Sequence, residues 1–71
     1  MTISYDKLWK LLIDKKMKKT DLVIQAKISS NVLAKMGRAE PVSLKNIEKI
    51  CLTLHCTVDE VVEITPNHVK N

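Results

Sequence analysis

The chain has 71 residues, 45% of them hydrophobic, with one Gly, two Pro and a net charge of +4. That length holds one domain, expected over residues 1–65 with a loosely held tail at 66–71. The composition excludes a disordered or low-complexity chain, and the core must be small, because a domain of this size buries only about 60% of its unfolded surface.

No apolar run reaches the roughly 18 residues of a membrane span. The opening segment Met1–Lys7 lacks the apolar stretch that secretion needs, so the expected location is the cytoplasm with Cys51 and Cys56 reduced. Charge is unevenly spread. Residues 1–40 carry nine Lys or Arg against four acids, whereas residues 41–71 carry three against four. A basic half of this kind fits a polyanion partner, although a solvated Lys-rich surface would look the same on charge alone.

Helix one is expected from Ser4, as N-cap, to Lys15, with Tyr5, Leu8, Trp9 and Leu12 forming an inward stripe that Leu11 and Ile13 widen. Helix two covers Lys19 to Ala26, with Leu22, Val23 and Ala26 turned inward, and Ile28 plugs the corner after it. Helix three runs from Ser29 to Met36 or Gly37, buries Val32, Leu33 and Met36, and stops at Gly37. Helix four begins after the N-cap Ser43 and ends near Leu54 or His55, burying Leu44, Ile47, Ile50, Cys51 and Leu54. A capping-box spacing from Thr57 to Glu60 announces a fifth helix, with Val58, Val61, Val62 and Ile64 on its apolar side. The expectation is an all-α, compact five-helix bundle.

Asp21-Leu22 opening helix two, Ala26-Lys27-Ile28-Ser29 at the corner and Leu33-Ala34-Lys35-Met36 follow one another in a telling order. With the later run from Val42 through Leu44, Ile47 and Ile50 to Cys56, they resemble a phage-repressor type helix-turn-helix domain of the Cro/C1 class. The similarity spans about residues 5 to 64 and is a diffuse pattern of apolar positions and corners. It implies a lambda-repressor-like fold and a sequence-specific DNA-binding transcriptional regulator acting as a dimer. Two positions depart from the family pattern. Lys27 stands where the corner usually has Gly in a left-handed conformation, which costs a Lys about 1 kcal/mol. Gly37 falls two residues ahead of the usual Gly stop.

The resemblance implies that exposed residues early in helix three read base edges while flanking donors hold phosphates. Ser30, Asn31 and Lys35 fall on the outward side of that helix. Asn31 can pair with adenine N6 and N7, Lys35 can donate to guanine O6 or N7, and Ser30 bonds to either base with weak discrimination. Lys19 and Thr20 sit at the amide-rich start of helix two, suited to a phosphate. Lys27, Ser29, Arg38, Ser43 and Lys45 are further phosphate candidates. Each has a plainer reading: a serine at 29 or 30 is needed as an N-cap in any case, and Lys35 suits any exposed helix. Trp9 reads as core.

Cys51 and His55 would share a helix face at i and i+4, with Cys56 next to them, but only distant His68 could add a ligand. No metal site is expected. No Ser/His/Asp set, glycine-rich phosphate loop or paired carboxylates can be assembled, so neither catalysis nor a cofactor is expected, and no small-molecule ligand or membrane partner either. A chain too small for a separate sensing domain would be regulated through concentration, oligomerisation or a partner. The expected partners are double-stranded DNA and a second copy of the chain. The alternative is a protein-interaction module using the same fold, such as an antitoxin or anti-regulator, since fold alone does not settle function.

Overall fold

The computed structural model describes residues 2–65; the expected tail at 66–71, with His68, lies outside the described residues. Two short strands, β1 (Thr2–Ser4) and β2 (Glu63–Thr65), bracket four helices, α1 (Asp6–Asp14), α2 (Lys19–Ala26), α3 (Ser30–Gly37) and α4 (Leu44–Leu54). A single 3₁₀ turn at Val58–Glu60 follows α4. The strands pair antiparallel, with Thr2 opposite Thr65, Ile3 opposite Ile64 and Ser4 opposite Glu63. The expected fifth helix is therefore replaced by a 3₁₀ turn and a strand. Thr57 and Glu60 do form the anticipated capping box, the Thr57 N–H donating to Glu60 Oε1 at 3.0 Å. A cap cannot extend a helix by itself, and the β-branched residues Val61, Val62 and Ile64 favour an extended chain once β1 offers its backbone.

The core joins Tyr5, Leu8 and Leu12 of the N-terminal segment with Leu22, Ala26, Ile28, Met36, Ile47, Ile50, Leu54 and Val61. Helix α2 packs on α4, with α3 against α2 and α1 against the 3₁₀ turn. Several side chains expected inside are outside. Ile13, in the last turn of α1, is 73% exposed and Leu44, the first residue of α4, 78%, each on the side of its helix away from the core. Val58 and Ile64 are exposed too, while Trp9, Leu11, Val23, Val32, Cys51 and Val62 are half-buried at the rim of the core, and Leu33 is half-buried away from it. Helix α1 starts one residue later than a Ser4 cap implies: Tyr5 is the N-cap residue, and the Ser4 hydroxyl accepts instead from the Asp6 N–H at 3.2 Å.

All four helices end in the same way, on a residue other than Gly in the left-handed region. Lys16, Lys27, Ala39 and His55 have φ of 58°, 57°, 57° and 55°. After each, the next N–H reaches back five residues to a carbonyl of the helix: Met17 to Leu12 at 2.9 Å, Ile28 to Val23 at 3.3 Å, Glu40 to Lys35 at 2.9 Å and Cys56 to Cys51 at 3.0 Å. This 6→1 bond is the mark of the Schellman motif, which satisfies carbonyls left open at a helix end and is often accompanied by an apolar contact between the residues it joins. Gly37, expected to be the stop of α3, does not have a positive φ and lies inside the helix. Ala39 takes the left-handed position two residues on, where the family pattern places its Gly.

Candidate nucleic-acid interface

Helices α2 and α3 are joined by three residues, Lys27, Ile28 and Ser29. Lys27 turns the chain in the left-handed conformation anticipated for it, and Ile28 is buried beneath the corner. Ser29 then caps α3 by accepting from the Val32 N–H at 3.2 Å. The Lys49 ammonium, on α4, donates to the Lys27 carbonyl at 3.5 Å, a cation at the negative end of α2. These local preferences fix the exit of α2 and the entry of α3, and so decide which side of α3 faces out.

Ser30, Asn31 and Lys35 are all exposed on α3, opposite buried Met36 and half-buried Val32 and Leu33. Ser30 and Asn31 occupy its first turn and Lys35 its last. Lys19, Thr20, Lys27, Ser29, Arg38, Ser43 and Lys45 are exposed as well. Lys19 is held in place, its ammonium 4.3 Å from the centroid of the Trp9 ring, which orients the charge at the start of α2. Ser43 caps α4 as Ser29 caps α3, accepting from the Asn46 N–H at 3.3 Å. A capping serine uses an oxygen lone pair and keeps its O–H proton for an outside acceptor, so capping leaves both serines able to donate to a phosphate.

Arg38 stands apart from the other cations. Its Nε donates to Glu40 Oε2 at 2.7 Å, and among the described residues this is the one ion pair. The hydrogen bond from Arg38 holds the Glu40 carboxyl below its ordinary range, with the nearby Lys35 charge acting in the same direction. Neither Glu40 nor Lys49 stood out in the sequence. Lys49 follows Lys45 at helical spacing, which was a usable signal; Glu40 had none, because its position depends on the left-handed turn at Ala39.

The premise of a Cys51–His55 helix face fails, because His55 lies beyond α4 in the left-handed turn. Among the described residues no three His, Cys, Asp or Glu side chains gather to hold a metal ion, and no helix is long and apolar enough to cross a membrane.

The model of the Cro/C1-type HTH DNA-binding domain family matches residues 7–67. The chain belongs to this family. Its structure is similar to a crystal structure of the transcriptional regulator VanUg, form II, with a TM-score of 0.88 and 42% sequence identity over 93% of this chain and 88% of that one. No curated protein sequence matches. A Cro/C1-type helix-turn-helix domain is a DNA-binding unit, and a basic face around α2 and α3 suits this chain to that role.

Proposed function

We propose that this Cro/C1-type domain is a sequence-specific transcriptional regulator that lays α3 in the major groove as a homodimer. The observation that carries the reading is the joint exposure of Ser30, Asn31 and Lys35 on one helix whose entry is set by a three-residue turn. In this reading Asn31 pairs with an adenine edge, Lys35 donates to guanine and Ser30 adds a weakly selective bond. Lys19, Thr20, Lys27, Ser29, Ser43 and Lys45 hold the phosphates on either side, and Arg38 joins them when it leaves Glu40. Two copies would address half-sites about 34 Å apart, one helical turn of DNA.

An apolar groove along α4 and the 3₁₀ turn supports the pairing of two copies. It is lined by Leu44, Leu52 and Val58, all exposed, with Lys45 and Glu48 along it. A two-fold interface sets a patch against the same patch of the second copy, so these exposed apolar side chains would cover one another.

Selection of bound sequences from a random duplex pool tests the whole reading. The expected result is a two-fold symmetric site, bound less tightly as salt rises because counterions are released. The double variant Asn31→Ala, Lys35→Ala is expected to lose the preference while keeping weak, salt-sensitive binding. Unchanged selectivity in that variant would remove α3 as the reading element, and an asymmetric single site would remove the dimer.

A further inference from the structure

The side-chain pairs at the four helix ends differ in chemistry. The Schellman bond joins Leu12 with Met17 and Val23 with Ile28, two apolar pairs, and Lys35 with Glu40, a charged pair. At the end of α4 it joins two free cysteines, Cys51 and Cys56. Their backbones are tied by the 3.0 Å bond from the Cys56 N–H to the Cys51 carbonyl, across left-handed His55. Both residues are half-buried, and both line the open groove beside Leu52 and Val58. The two positions that the motif brings near each other are here both thiols, and in the single chain they lie on a groove open to a small oxidant, which pairing of two copies along α4 would shield.

We propose that Cys51 and Cys56 form a modification site, a dithiol that closes into an intramolecular disulfide when a peroxide oxidises it. The geometry carries the idea: a disulfide needs its two Cα atoms a few ångströms apart with the Cβ atoms facing, and the 3.0 Å bond from the Cys56 N–H to the Cys51 carbonyl holds the two backbones side by side. One thiolate attacks the peroxide, taking one oxygen, breaking the O–O bond and releasing water or an alcohol once a proton is supplied. The resulting sulfenic acid is attacked by the second thiol, which forms the S–S bond and expels a second water. The net change is two thiols and one peroxide to one disulfide and two molecules of water, or one water and one alcohol. Burial, with the neighbouring Cys51 thiol, pushes the Cys56 thiol up to about 11. A thiol that holds its proton this firmly is a poor first nucleophile toward peroxide, which leaves Cys56 the resolving role. Glutathione disulfide would reach the same product by thiol exchange, with two molecules of reduced glutathione released.

The reduced protein is treated with hydrogen peroxide, unfolded, alkylated and mapped by mass spectrometry. The expected product has no covalent link between chains, has lost two hydrogens, resists alkylation at both Cys51 and Cys56, and returns to the starting mass with dithiothreitol. Sulfinic acid on a cysteine, a disulfide between two chains, or two freely alkylated thiols after peroxide would each overturn the proposal. The variants Cys51→Ser and Cys56→Ser are expected to lose the reversible protection, and its persistence in either would also overturn it. Equilibration in glutathione buffers then separates the turn from mere closeness in sequence. The disulfide is expected to be at least about tenfold more stable in the folded chain than in urea, because the folded turn holds the thiols together in advance. Equal stability in the two conditions would mean that the helix end contributes nothing.

Discussion

The Tyr5 hydroxyl donates a 2.7 Å hydrogen bond to the Glu40 carbonyl, fastening the start of α1 to the loop that leaves α3. Tyr5 is buried, and that burial raises its phenol above the ordinary value, against a smaller lowering by the Val42 backbone. The bond spans 35 positions of sequence and holds the residue that also engages Arg38. Tyr5→Phe keeps the ring packing and leaves the carbonyl without its donor. The expected cost is about 1 kcal/mol in urea unfolding, with faster amide exchange across Glu40–Ser43. No change in either measurement would show the bond to be immaterial.

Glu40 restrains DNA binding in our reading, because it occupies Arg38 and lies close to Lys35. Glu40→Gln removes that negative charge. DNA affinity measured by fluorescence anisotropy is expected to rise, and its dependence on log salt to steepen by about one contact. If affinity and slope stayed at wild-type values, Arg38 would have no part in holding phosphate.

Four left-handed residues with a Cβ are a reservoir of strain that glycine would release. Lys16→Gly, Ala39→Gly and His55→Gly are each expected to stabilise the fold by about 1 kcal/mol, read from the denaturation midpoint. Lys27→Gly should stabilise it equally while weakening DNA binding, since it also removes a candidate phosphate contact. A variant that lost stability would mean that the replaced side chain contributes more than the strain it carries. For Lys27, undiminished binding would exclude the contact.

The raised Cys56 thiol makes stability depend on alkaline pH. Between the ordinary thiol value and about 11 the folded chain keeps a proton that the unfolded chain has lost, so stability is full below that window and falls as pH rises through it. Under reducing conditions, wild type is expected to lose more stability than Cys56→Ser between about pH 7.5 and about pH 10. Parallel curves for the two proteins would show that the thiol is not perturbed by folding.

Much of the fold was legible because its cues are local. Leu22 with Ala26 and Ile47 with Ile50 and Leu54 mark buried faces by helical spacing, and Ser29 and Ser43 announce helix starts through short hydroxyl caps. The outward direction of Asn31 and Lys35 follows from the same spacing on α3. Glu40 was not legible, since what it touches depends on the turn at Ala39, and an Ala carries no sign of a left-handed conformation.

The amino-acid order by itself determined the four helices, the corner at Lys27 and the cationic, outward side of α3, because propensity, capping and periodicity act over a few residues. Only the tertiary structure decided that Val61–Thr65 abandons a helix, that Ile64 pairs with Ile3, and that Ile13 and Leu44 face solvent. Those outcomes depend on which backbone or side chain from elsewhere arrives beside them. A three-residue strand has too few bonds of its own to exist before its partner is in place.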